Sequence, residues 1–150
     1  MSKKWINSNE YISKWFHSGK ILHIWEPTFS SNIYYVNAHT FDEYKQIMKK
    51  CLDVTIDEEK SKSVNGGFTS MVLKFGDVKN PREEEIGVMW GDIDNMDTMV
   101  HEALHAIYWI RDCKKFDYSD EEVWCYLLSF IVKNIVGSHV ENKAVHKRRS

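Results

Sequence analysis

The segment Met99-Val-His101-Glu102-Ala-Leu-His105-Ala-Ile-Tyr-Trp109 carries two histidines four residues apart, with a glutamate directly after the first. In a helix such a pair shares one face, with Cβ atoms about 5–6 Å apart. Two imidazoles at that separation can both reach one metal ion at the Zn–N distance of about 2.0–2.1 Å. Glu102 sits about a third of a turn round from His101, poorly placed to ligate the same ion but able to hydrogen-bond a water on it. The pattern predicts Zn2+ held by His101 and His105, a zinc-bound water activated by Glu102, and one protein ligand still to be supplied.

Zinc that keeps a position open for water takes three protein ligands. The next helical segment, Asp120-Glu121-Glu122-Val-Trp-Cys125-Tyr126-Leu, opens with carboxylates, which suit the positive end of a helix dipole. A turn over Lys114–Ser119 lets that segment fold back on the first, so Glu121 and Glu122 are both candidates for the third ligand. Glu121 shares a face with Cys125, Leu128 and Val132, and Glu122 shares one with Tyr126 and Ser129. Ser119 and Glu122 also fit a capping box, a local role that needs no metal. Cys113 and Asp117, in the connecting turn, are candidates for a fourth ligand, which would close the site and make it structural.

H-E-x-x-H followed on the next helix by a glutamate resembles the gluzincin metallopeptidases, particularly the minimal ones, many of them phage-encoded. Asp120-Glu121-Glu122-Val-Trp-Cys125-Tyr126-Leu-Leu-Ser129 is similar to their second helix if Glu122 is the ligand, Cys125 the small residue and Ser129 the close-packing position. The resemblance covers residues 66–137 and implies a zincin-like fold of minigluzincin type, with zinc on His101, His105 and Glu122. It implies a metallopeptidase acting on a peptide or protein substrate, in the cytoplasm (the host's, if viral). It also makes Ile86–Trp90 resemble the edge strand that lines the substrate groove. The chain departs from the larger members in the short separation between His105 and Glu122, and in lacking a separate domain to supply a transition-state histidine. The alternative is a non-catalytic zinc protein, regulatory or host-interacting, that keeps the H-E-x-x-H helix.

These residues need a scaffold. Tyr11, Ile12, Trp15 and Phe16 recur at helical spacing over residues 8–18, ending at Gly19. Ile21–Trp25 and Ile33–Val36 read as strands of a hairpin around Pro27. Thr40 and Glu43 predict a capped helix whose apolar face is Phe41, Tyr44, Ile47 and Met48. Asn65-Gly66-Gly67 reads as a turn, and Phe68–Phe75 and Ile86–Trp90 as strands. Asp92–Asp97 reads as a cap rather than a cation loop, because the twelve-residue ligand pattern is incomplete. Helices follow over about Thr98–Asp112 and Asp120–Val136. The fold class is α+β: a small antiparallel or mixed sheet packed against two long C-terminal helices.

The 150 residues suit one domain, expected over 1–137, with residues 138–150 as a basic tail. Hydrophobic residues at 43% and charged residues at 28% are globular values that exclude a disordered chain. A net charge of −2 disfavours nucleic acid as the main partner, leaving only Lys143–Arg149 for a weak role of that kind. Three cysteines without C-x-x-C spacing predict free thiols. No window reaches the roughly 18 consecutive apolar residues of a membrane span, and the first residues lack a signal-peptide pattern. Trp90, Trp109 and Trp124 read as core or groove walls, and Tyr108 and Tyr126 as packing residues with a hydroxyl to donate.

Overall fold

The computed structural model describes residues 13–57, 65–75, 78–117 and 120–149, with side-chain detail up to residue 140 and not at Phe75. A five-stranded mixed sheet has the order β1-β2-β3-β5-β4, with β1 Lys14–Phe16, β2 Ile21–Glu26, β3 Ser31–Asn37, β4 Gly66–Phe75 and β5 Arg82–Gly91. One helix, α1 (Phe41–Leu52), covers one face, and α2 (Met96–Lys114) and α3 (Glu121–Arg149) cover the other. This is the expected α+β class, with an extra helical layer behind the sheet.

Strand alternation explains the two cores. Ile86, Val88 and Trp90 of β5 point toward α1 and join Tyr44, Ile47 and Met48. Met89 points the other way, into a core with Met99, Ala103, Ile107 and Ile110 of α2 and Leu127, Ile131 and Ile135 of α3. Residues 86–91 are buried throughout, as a strand covered on both faces must be. At Gly87 an added Cβ would lie 2.8 Å from the Trp109 ring, so the missing side chain is what lets α2 lie close to the sheet.

The β2–β3 hairpin and α1 lie where expected. The Thr40 hydroxyl accepts from Glu43 N–H at 3.1 Å, while the Glu43 carboxylate reaches one residue further back, to His39 N–H at 3.1 Å. Residues 14–16, expected in a helix, form β1 instead, pairing Trp15 with Leu22 and Phe16 with Ile21. Trp15 packs on the α2–α3 core and Phe16 on the α1 core, so neighbouring aromatics are buried on opposite faces. That burial overrides the helical spacing. Residues 8–12 of the expected helix lie outside the described residues. The double glycine read as a turn opens β4, with Gly66 opposite Gly91 and Gly67 opposite Trp90.

The parallel pairing of β3 with β5 puts β4 outermost, on the antiparallel side of β5. The edge strand on this side is therefore β4, with β1 at the other edge, and Ile86–Trp90, which resembled an edge strand, lies inside the sheet. Helix α3 runs past Val136 to Arg149, since Lys, Arg, Ala and Glu beyond Gly137 are good helix formers. Its stretch Glu121–Val140 is long and apolar enough by composition to cross a membrane. Leu127, Ile131 and Ile135 are fully buried there, with Val123, Trp124, Leu128, Phe130, Val132 and Val136 packed against the same core. The core accounts for part of that apolarity, while Tyr126 and Val140 of the same stretch are exposed.

Candidate metal centre

The start of α2 is pinned to the sheet before the histidines are reached. Tyr35 Oη donates to Gly91 O at 2.9 Å, and Ile93 N–H donates to the Asn37 side-chain oxygen at 3.1 Å. Asn95 caps the helix by accepting from Thr98 N–H at 3.2 Å, as the acidic, capping-rich approach predicts. His39 Nδ1 lies 3.0 Å from Asp92, and His139 Nε2 lies 3.5 Å from Asp94. Hydrogen bonding from Asp94 N–H, together with His39, holds the Asp92 carboxyl below the usual range. The β5–α2 link is thus held from β3 and the β3–α1 connection.

One turn further on, His101 and His105 are exposed side by side, with their Nε2 atoms 3.2 Å apart. For Zn–N bonds of about 2.05 Å, that separation subtends about 103° at a shared ion, near the tetrahedral value. The separation of the two nitrogens suits two positions of a tetrahedral site. Glu102 is only 5% exposed, and desolvation pushes its carboxyl above the usual range, partly opposed by His105 and His101. Its carboxylate makes no hydrogen bond to a described residue and faces a cavity of about 570 Å³.

That cavity is lined by His101, Glu102 and His105, by Gly66–Thr69 and Met71 of β4, by Trp90 and Tyr44, and by the chain over Val54–Asp57. The chain reaches this wall because Asp53, in the left-handed conformation, ends α1 and Val54 N–H bonds back to Met48 O at 3.1 Å. Gly66 lies against Thr98 and Glu102, where a Cβ would sit 2.5 Å from Thr98 Cγ2. The cavity therefore runs along the outer edge of the sheet, beside the histidine pair. None of Tyr44, residues 54–57 or the glycine pair stood out in the sequence as part of a site. The usable signal was Gly66-Gly67 directly before an alternating strand, which marks close backbone approach.

Glu122, expected to complete the ligand set, is not gathered with the two histidines into a three-ligand group among the described residues. Tyr108 packs on Trp124 at 5.1 Å near one end of the helix pair and His139 meets Asp94 near the other, so α3 is antiparallel to α2. Glu122 is then level with Ile110, about 7 Å beyond His105 along the axis at 1.5 Å per residue. The flanks matter as much. Thr98, Glu102 and Trp109 face β4, whereas Tyr108 and Arg111 face α3 through Trp124. The histidines open toward β4 while α3 lies on the opposite flank.

Glu121 and Glu122 are exposed, and α3 has no further acid before Glu141. Asp120 caps α3 through Val123 N–H at 3.4 Å, and Ser119 lies outside the described residues. Among the described residues, no three His, Cys, Asp or Glu side chains gather as a metal site. The described residues thus supply two ligands and a base.

The remaining candidates stand elsewhere. Cys113 is eight residues past His105, about 12 Å along the helix. Its thiol, pushed up by burial and by Glu85, donates to Glu85 Oε1 at 3.7 Å. Tyr126 donates to Glu26 Oε1 at 3.1 Å and accepts from Thr28 at 3.1 Å, so its hydroxyl orders the β2–β3 hairpin. Trp90 is core, stacked on Tyr44 with ring centroids 5.2 Å apart, while Trp109 and Trp124 are half-buried packing residues. Compared with known proteins, the chain matches no family model, no curated protein and no solved structure.

Proposed function

We propose that this chain is a zinc-dependent peptidase, with zinc held by His101 and His105 and with Glu102 as the general base. The observation that carries the reading is the 3.2 Å separation of the two Nε2 atoms beside a buried carboxylate, at the side of a cavity lined by the outermost strand β4. When bound, zinc would polarise a peptide carbonyl and acidify a water.

Glu102 would take a proton from a water attacking the carbonyl carbon and pass it to the nitrogen as the C–N bond breaks. An extended peptide would be aligned by main-chain pairing to the outer edge of β4. Two proteins of different use share this chemistry: an enzyme, and a zinc-holding module without turnover.

Elemental analysis of the full chain, followed by cleavage of a denatured protein with and without chelator, separates them. Bound zinc with chelator-sensitive cleavage supports the peptidase; bound zinc without cleavage supports the module; no zinc refutes both. Glu102→Gln is expected to retain the metal and lose about 10²–10⁴-fold in kcat. For the third donor, Glu122→Gln and Asp57→Asn are compared by zinc affinity. Glu122 carries the resemblance to gluzincins, and Asp57 lines the same cavity as the histidine pair. The substitution that weakens zinc identifies the ligand.

A further inference from the structure

We infer that the exposed face of α2 docks on the same face of a second copy of this chain, the two copies sharing one zinc ion through His101 and His105 of each. This rests on the zinc reading of that pair and goes beyond it, because it names what completes the coordination and how the site is closed.

The helix period sets the face. Asp97, His101, Leu104, His105, Tyr108 and Asp112 recur at three- and four-residue spacing, and all are exposed. Met99, Ala103 and Ile107 are buried in the core, and Glu102 turns toward β4. The two imidazoles therefore stand at the rim of the cavity and on the outward ridge of α2, where another molecule reaches them.

Zinc takes four donors, and this pair supplies two. Among the described residues no third His, Cys, Asp or Glu gathers with them. A second copy related by a two-fold axis brings an identical pair, so an ion on that axis gains four imidazoles. A tetrahedron has the same symmetry: the nitrogens 3.2 Å apart in one copy take two corners, and those of the other copy take the remaining two. Imidazole binds metal in its neutral form, so four can surround one cation without repelling one another.

The surroundings of the pair suit a protein surface. Leu104 and Tyr108 are 41% and 42% exposed, and Tyr108 packs on Trp124, which puts this apolar strip on the α3 side of the histidines. A second copy held by the metal buries part of that strip. Four imidazoles leave no position for water, so the shared site is the closed form of the candidate peptidase, and separation of the copies opens it.

Sedimentation equilibrium of the full chain during a zinc titration tests this. A monomer is expected in chelator, a dimer at about half an equivalent of zinc per chain, and a return toward monomer in excess zinc, as each pair takes its own ion. Cleavage of a denatured protein is expected to be lowest where the dimer is most abundant. His105→Ala should stay monomeric throughout. Leu104→Lys keeps both histidines and should weaken the dimer by at least about tenfold, through lost burial of the leucine.

A chain that binds zinc yet stays monomeric at every ratio would overturn the shared site and leave the peptidase reading to stand on cleavage. A dimer that persists in chelator or in His105→Ala overturns it too, as does a Leu104→Lys dimer as tight as the natural one. A zinc-dependent dimer with no cleavage, even after excess zinc has separated the copies, keeps the shared site and removes the peptidase. No bound zinc removes both.

Discussion

Gly66→Ala tests the seam between the edge strand and the candidate metal centre. Gly66 has no positive φ, so alanine meets no backbone penalty there; only contact decides the outcome. The new Cβ would lie 2.5 Å from Thr98 Cγ2 and 2.9 Å from Trp90 O, with Glu102 Cγ at 3.5 Å. Both short distances require a shift, and one involves a backbone carbonyl that cannot rotate away. Overpacking of this kind costs about 1–3 kcal/mol, while the lost freedom of the unfolded glycine returns about 0.4–1 kcal/mol. A net loss of about 1–2 kcal/mol is expected, or about 2–8 °C in Tm for a domain of this size.

Calorimetry of the metal-free chain measures it. Thr98→Ser removes the Cγ2 methyl, so combining it with Gly66→Ala should recover part of the loss and leave the share due to Trp90 O. A Gly66→Ala chain as stable as the natural one would show that β4 does not lie this close to α2. The cavity geometry drawn from that seam would then fail.

Three more outcomes follow from the same packing. Glu102 has its folded pKa raised by burial, so its contribution to stability is fully present below its unfolded value and is lost as pH rises through the folded one. Metal-free Glu102→Gln should therefore be more stable than the natural chain at pH 7 and gain nothing near pH 4; urea titrations at both values check the sign. Glu26, fully buried, accepts from Thr28 N–H at 2.8 Å, Phe29 N–H at 2.7 Å and Tyr126 Oη at 3.1 Å. Glu26→Ala should cost about 3 kcal/mol or more in denaturant unfolding, because several donors lose a charged acceptor. Zinc at a hundred times its dissociation constant should stabilise the natural chain by about 2.7 kcal/mol in a thermal-shift assay, and His105→Ala should abolish that response.

Local chemistry was legible in advance. The spacing of His101 and His105 is set by the helix period, so their convergence needs only that the segment be helical. The Thr40 cap, the β2–β3 hairpin and the acidic approach to α2 likewise depend on neighbours within one turn or one pair of strands. The run Ile86–Trp90 announced a buried strand through its composition. In each case the residues that decide the outcome are close together in the chain.

Tertiary structure decided the rest. Trp15 and Phe16 join a strand because each finds a core on a different face, and no spacing rule contains those cores. Which strand forms the edge depends on β3 pairing in parallel with β5, a contact between segments about fifty residues apart. Glu122 follows His105 closely in sequence, yet α3 returns along the flank of α2 away from β4, where Leu127, Ile131 and Ile135 are buried. The long-range burial of those side chains outweighs anything a single surface carboxylate contributes. It is burial that sets which groups the two histidines face.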